Sequence, residues 1–437
     1  MVDSEVLLGL LSRNNLRLLD DPDGADAVVI NTCGFIDLAK EESVNAILEA
    51  AAMKRDGRIG RLYVAGCLSE RYADDLRAEI PEVDAFFGVT DFSRILKTIN
   101  PNLRHDLLGE RFVPEGARSA YLKISEGCDR PCSFCAIPLM RGGHVSRSME
   151  EVLIEANGLA ARGVRELVLV AQDLTYYGLD RYGRRNLAEL LSRLSHVRGI
   201  EWVRLMYAYP SGFPVDILPV IAESPVICNY LDMPVQHAAD IVLRSMRRGI
   251  TRRGTEDLIA KIRDAVPGIA LRTTLIVGYP DEGEREFQEL LDFVRTVEFD
   301  RLGVFAYSQE EKTFAHDKGD PIPPDVKQER INAIMETQKE ISARKNEGLI
   351  GKRERVFVEG ESGGEFICRS ERDAPEVDCE VYVTSGFRLE RGDFVEVEIN
   401  GAMEYDLFAD AIPGTRTPDG PAYTDTDLLP IAREITR

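Results

Sequence analysis

From Ala120 to Ala306 the chain alternates six times between a short run of β-forming residues and a helix with apolar positions at helical spacing. Ala120–Ile124, Glu166–Ala171, Trp202–Tyr207, Ile227–Asp232, Ala270–Val277 and Arg301–Ala306 read as strands. Met149–Arg162, Leu187–Leu194, Val215–Ala222, Ala239–Arg247, Glu256–Ala265 and Glu284–Val297 read as the helices between them. No seventh or eighth repeat is clear, so the expected form is a partial, open (β/α)6 barrel. In such a barrel the loops after the strands carry the chemistry.

The loop after the first strand is GCDRPCSFCAIP, residues 127–138. Cys128, Cys132 and Cys135 stand in it at C-x3-C-x2-C spacing. Structural zinc and most structural iron–sulfur sites take four protein ligands. Three thiolates on one loop can wrap one face of a cubane [4Fe-4S] cluster and leave its fourth iron open to a substrate amine and carboxylate. Phe134 is placed to pack over such a cluster and dry it. A zinc site borrowing His144, and inert or redox thiols, are the other two readings.

Two further regions flank the repeats. Residues 1–105 read as a flavodoxin-like α/β domain with three strands, each followed by a helix. Cys33 and Cys67 each fall just past the C-terminal end of a strand, the edge where open parallel sheets hold their ligands. The region opens in a helix, Asp3 to Leu11, where such a unit more often opens with a strand. Residues 106–117 read as a linker, 114–344 as the barrel domain with a closing charged helix from Pro324 to about Arg344, and 346–414 as a small all-β barrel. The polar tail, 415–437, lacks the apolar content of a packed element.

Charge and cysteine usage bound the partners. Net charge is −21, and residues 351–437 alone hold 20 acids against 10 Lys and Arg. That surface repels a phosphate backbone and suits a basic partner. No run of 18 apolar residues exists and the first residues are acidic, so neither a membrane span nor a signal peptide is expected. The remaining cysteines, Cys228, Cys368 and Cys379, are scattered and read as buried core or barrel residues. Scattered cysteines form no secreted disulfide framework and point to the cytoplasm.

YLKISEGCDRPCSFCAIPLMRG at 121–142 resembles the radical S-adenosylmethionine (SAM) methylthiotransferases, as do NTCGF at 31–35, AGC at 65–67 and the order of domains. The resemblance covers residues 1–414 and implies a C-terminal TRAM barrel of OB-like form. It implies that Cys128, Cys132 and Cys135 hold the [4Fe-4S] cluster that binds S-adenosyl-L-methionine and cleaves it reductively, so that a 5′-deoxyadenosyl radical abstracts hydrogen from an unactivated C–H bond. It further implies a second [4Fe-4S] cluster on three cysteines of the N-terminal domain, of which Cys33 and Cys67 match two. The third belongs to a family segment G-C-x-K-N-x-V-D-S-E, and Val2, Asp3, Ser4 and Glu5 align with its end. A start codon assigned too late, or a truncated sequence, is the expected reason that the third cysteine is missing.

Within the family, NTCGFIDLAKEES at 31–43, WVRLMYAYP at 202–210, YLDMPVQH at 230–237, MRRG at 246–249 and YSQEEKTFA at 307–315 are similar to the branch that modifies an aspartate β-carbon of the twelfth small-subunit ribosomal protein. The alternative branch modifies an adenosine of transfer RNA. The acidic C-terminal region favours the basic ribosomal protein, with nucleic acid not a primary substrate. The implied enzyme is a cytoplasmic monomer fed by an external electron donor, its sulfur donor unnamed. Gln172 and Asp173 after the second barrel strand, Gln236 and His237 after the fourth and Gly278 after the fifth are candidates for the catalytic mouth, Gln172, Asp173 and Gly278 toward SAM. Each of these has a strand-end cap or local turn as its competing role. Arg141 and Gly142 complete the cysteine loop, with Arg141 expected near a carboxylate. His105, His196 and His316 read as surface residues.

Overall fold

The computed structural model describes residues 2–14, 16–99 and 111–418. His105, the first part of the 106–117 linker and the tail beyond residue 418 lie outside the described residues. The chain divides into two units.

The first unit comprises Met1–Pro114, Glu126–Val145 and Ser308–Asp317. Its elements are α1 (Val2–Arg13), β1 (Ala27–Thr32), α2 (Asp37–Arg55), β2 (Arg61–Gly66), α3 (Cys67–Glu79), β3 (Ala85–Phe86) and α4 (Phe92–Ile99). The three strands form a parallel sheet in the order β1-β2-β3. Side chains alternate across a strand, and β2 shows it directly. Leu62 and Val64 pack with Ile47, Ala51 and Leu68 of α2 and α3. Tyr63 and Ala65 pack on the other face with Leu7 and Leu11 of α1 and Ile95 and Leu96 of α4. The opening helix thus has a function in the fold: it covers one face of the sheet. Its Glu5 also pairs with buried Arg111, and Phe112 N–H donates to the Glu5 carbonyl at 2.9 Å, so the end of the linker segment is anchored rather than loose.

The second unit holds the repeats. Between β4 (Ser119–Lys123) and the next helix runs the cysteine loop, which belongs mainly to the first unit and carries β5 (Ser125–Glu126), α5 (Ile137–Arg141) and β6 (Val145–Ser146). Then follow α6 (Met149–Ala161), β7 (Glu166–Val170), α7 (Leu179–Tyr182), α8 (Leu187–Leu194), β8 (Trp202–Leu205), α9 (Ile217–Glu223) and β9 (Ile227–Asp232). The unit continues with α10 (Asp240–Ser245), α11 (Arg252–Ala265), β10 (Ala270–Val277), α12 (Glu284–Val297), β11 (Arg301–Ala306) and α13 (Pro324–Glu347). The six long strands form one parallel sheet in the order β11-β10-β9-β8-β7-β4, the arrangement expected of an open (β/α)6 barrel. Ser148 and Glu151 close a reciprocal capping box at the start of α6.

The C-terminal strands β12 (Arg353–Ser362), β13 (Glu365–Ser370), β14 (Val381–Thr384), β15 (Phe394–Ala402) and β16 (Leu407–Ala411) close a barrel in the order β12-β13-β14-β16-β15. Phe357, Ala374 and Phe394 from this region pack into the same buried cluster as Val168, Trp202, Cys228 and Tyr230 of the parallel sheet. Glu166 of β7, fully buried, pairs with Arg204 of β8 at 2.9 Å and with Arg369 of β13. A buried charge is tolerated only when its partners are this close. Burial alone would raise the Glu166 carboxyl, but Arg369 and Arg204 outweigh it and hold the group down at about 2. Among the described residues, no helix is long and apolar enough to cross a membrane.

Candidate functional site

The loop carrying the cysteine triplet closes on itself through glycines. A Cβ at Gly127 would stand 2.1 Å from the Gly143 carbonyl oxygen, and the φ of +75° there is one that side chains rarely adopt. Next to it, Cys128 N–H donates to the Gly142 carbonyl at 3.1 Å, and Asp129 Oδ1 accepts from His144 N–H at 3.0 Å. Within the loop Cys135 N–H donates to the Cys132 carbonyl at 3.2 Å, a turn that draws the last two cysteines together. Arg130 N–H points at Cys128 Sγ, 3.4 Å away, and such a donor favours the thiolate that a metal binds. Cys128 is buried, while Cys132, Cys135 and Phe134 are half-buried. Ala315 N–H, from the segment after β11, donates to the Ser133 carbonyl at 2.7 Å.

The second cysteine pair is set by strand register. Thr32 of β1 pairs with Gly66 of β2, so the next residue on each strand is a cysteine and the two leave the same sheet edge. Gly66 must be glycine, since a Cβ there would meet the Thr32 carbonyl oxygen at 2.5 Å. Cys33 is exposed, its N–H donating to Ser43 Oγ at 3.0 Å. Cys67 is buried at the first position of the 13-residue helix α3, where the helix dipole favours a thiolate. Burial pushes its thiol up, and the Arg141 guanidinium beside it pulls the other way without prevailing.

The triplet fits a cubane cluster on its donor chemistry: three thiols on one glycine-closed loop, with a backbone N–H already directed at one sulfur. Among the described residues no group of three His, Cys, Asp or Glu is placed as a single metal ion would need. Cys33 and Cys67 supply two more thiols of the same kind.

The other candidates fall mainly to local structure. Asp173 is buried, and its Oδ1 accepts from Thr175 N–H at 2.8 Å and from Thr175 Oγ1 at 2.7 Å, which makes it the cap of the turn Leu174–Tyr176. Gln172 beside it is half-buried. A Cβ at Gly278 would stand 2.5 Å from the Lys327 side chain of α13. His237 is buried rather than on a rim. Its Nδ1 accepts from Ala239 N–H at 3.0 Å, which places the proton on Nε2, and Nε2 donates to Glu282 at 3.2 Å. Gln236 has a φ of +72° and its backbone bridges to β10, with N–H on the Thr274 carbonyl at 2.9 Å. Cys228 is a core residue, its thiol pushed up to about 12 by burial. Cys368 is likewise buried, and Cys379 is half-buried with its thiol pushed up to about 12 by burial. His196 is exposed and His316 half-exposed.

Of the two residues that tie the site together, Arg141 was expected near a carboxylate and Glu310 was not anticipated. Arg141 bonds Glu126 at 2.8 Å and Asp3 at 3.1 Å, so it meets two carboxylates rather than one. Glu310 lies buried between Arg71 and Lys40, each at 2.8 Å. One of two adjacent Glu in the run SQEEKTFA gives no periodic signal that could have marked it.

Comparison with known proteins agrees with this geometry. The Radical SAM superfamily model matches residues 122–294, the TRAM domain model residues 350–412, and an uncharacterized family, UPF0004, residues 1–88. The ribosomal protein uS12 methylthiotransferase RimO of Cytophaga hutchinsonii is 53% identical over 415 residues, covering 94% of this chain and 95% of that protein. Its counterpart in Flavobacterium johnsoniae is 52% identical over 93% of this chain and 94% of that protein. Among solved structures, the radical SAM methyltransferase TsrM of Kitasatospora setae superposes with a TM-score of 0.51 at 15% identity, over 68% of this chain and 66% of that one, which is a likeness of fold. With identity above half along nearly the whole length of both chains, this protein belongs to the ribosomal protein uS12 methylthiotransferase family of radical SAM enzymes.

Proposed function

We propose that this chain is the radical SAM methylthiotransferase that adds a methylthio group to the β-carbon of an aspartate in ribosomal protein uS12. The observation that carries the reading is the meeting, within one compact unit, of a three-cysteine loop and a strand-end cysteine pair. Cys128, Cys132 and Cys135 would hold one [4Fe-4S] cluster, and Cys33 and Cys67 would be two ligands of a second. Bound at the triplet, such a cluster supplies the electron for reductive cleavage of S-adenosylmethionine. The chain's own contribution is to fix the thiols and to shield them. The Gly127–Gly143 approach holds the loop closed, Arg130 N–H stabilises the Cys128 thiolate, and Phe134 limits water at the metal.

Support for a protein substrate comes from charge. On the C-terminal barrel Glu365, Glu380, Glu396, Glu398 and Asp410 are exposed, against Lys352, Arg353, Arg388 and Arg391. This is no continuous basic face, and it attracts a basic protein more readily than RNA phosphates. Transfer RNA is therefore not favoured. The enzyme works in the cytoplasm as a monomer and takes electrons from an external donor. The test is Cys132→Ala in reconstituted protein with strong reductant and S-adenosylmethionine. It should abolish 5′-deoxyadenosine formation, and unchanged formation would sink the assignment.

A further inference from the structure

Strand β11 stands at the end of the parallel sheet and pairs on one side only, with β10. The backbone groups of a strand turn alternately to its two sides. On β10, Arg272 and Thr274 turn theirs toward β9, their carbonyls accepting from Met233 and Gln236 N–H at 2.8 and 2.9 Å. On the other side, the ladder with β11 runs on into Tyr307 N–H, which donates to the Val277 carbonyl at 2.8 Å. The odd-numbered residues of β11 therefore face β10, and Leu302, Val304 and Ala306 turn their N–H and C=O groups to the open side. Among the described residues, no bond from a turn, a loop or a side chain reaches those groups.

Native sheets guard such an edge with lysine, proline or a bulge, because it templates pairing with another chain. RLGVFA has none of these, and its pairing with β10 runs without a register break. Its one charge, Arg301, is buried and turned onto Asp373 at 2.6 Å. Phe305 is 54% exposed and Ala306 is exposed, so the end of the strand stands open. At the opposite edge of the sheet, β4 ends instead in Lys123.

We propose that β11 is the docking strand for the protein substrate: an extended segment of uS12 adds to the sheet along Leu302, Val304 and Ala306. This rests on the reading of uS12 as the substrate. Only a polypeptide matches a row of N–H and C=O groups that repeats every two residues, about 6.6 Å apart. A second copy of this chain is also a polypeptide, but it carries the same net charge of −21 and is repelled, whereas a basic protein is drawn in.

The test is residue-resolved amide hydrogen exchange of the reconstituted full chain, with and without purified uS12. Leu302, Val304 and Ala306 should exchange more slowly when uS12 is bound, while Gly303 and Phe305, already bonded to β10, serve as the internal reference. Ala306→Pro, which removes one outward N–H at an exposed edge position, should raise KM for uS12 about tenfold. Ala306→Ser keeps that N–H and should bring no such rise. Modification of uS12 with no added protection at the three amides would overturn the proposal and leave uS12 standing as the substrate. So would a parent dimer that Ala306→Pro turns into a monomer, since the edge would then belong to a second copy. A protein that neither binds nor modifies uS12 would overturn both.

Discussion

Arg71 and Glu310 stand 239 positions apart in the chain and meet at 2.8 Å, with both side chains almost sealed from water. Lys40 approaches the same carboxylate oxygen at 2.8 Å, and Ser308 Oγ donates to the other at 3.0 Å. Residues 308–317, which follow the last strand of the parallel sheet, are thereby clamped to α2 and α3. The same segment reaches the triplet through Ala315 N–H on the Ser133 carbonyl. One ten-residue stretch thus grips both cysteine-bearing parts of the first unit.

Glu310→Gln should be strongly destabilising, because Arg71 would be left buried without a counter-charge, while Lys40 would keep only the exposed Asp37. The expected loss is about 3–5 kcal/mol, the usual cost of breaking a buried ion pair from one side. Denaturant unfolding checks it, and adding Arg71→Met should recover part of the loss.

The C-terminal barrel should unfold together with the parallel sheet. Trp202 meets Phe394 edge-on at 4.8 Å and Phe357 at 6.2 Å between ring centres, so the two share a core. Phe394→Ala is expected to cost about 3–5 kcal/mol. Calorimetry of the parent should show no separate transition for the C-terminal barrel, and an independent melt of that barrel would contradict the shared core.

Acid should loosen that junction at a defined place. The folded carboxyl of Glu166 is held at about 2 against an ordinary value of 4.5. Its folded pKa is depressed, so its stabilisation is complete above about 4.5 and fades as pH falls toward about 2, amounting to about 3 kcal/mol. Glu166→Gln should flatten the acid limb of the stability profile in that window while lowering stability at neutral pH, because Arg204 and Arg369 lose their counter-charge. Stability against pH, measured by denaturant midpoints, decides it.

Gly278→Ala should be destabilising twice over, through a φ of +77° and through collision with the Lys327 side chain. Lys327→Ala should relieve the collision and leave the backbone strain. A double-mutant cycle would therefore show a favourable coupling between the two changes.

Much of this was readable in the residues. The six strands of the open barrel fell within a few residues of their expected limits, because continuous apolar runs such as LVLV in β7 leave little choice for a buried parallel strand. In the C-terminal barrel β13 and β16 were not anticipated: they are short and half-exposed. The Gly363–Gly364 pair, both with positive φ, was a hairpin signal that could have revealed β13. Cys33 and Cys67 could be placed at strand ends, but their side-by-side register follows from the pairing of Thr32 with Gly66. Arg141, Glu310 and the approach of Lys327 to Gly278 depend on contacts between distant segments, and no local pattern encodes those.

The most direct test of the account is the mass of ribosomal protein uS12 purified from cells with and without this gene. Cells carrying the intact gene should yield uS12 heavier by one methylthio group on a single aspartate, and cells lacking it or carrying Cys128→Ala should yield unmodified uS12, with transfer RNA methylthiolation the same in all. Unmodified uS12 in every strain, or a methylthio group lost from transfer RNA instead, would contradict it.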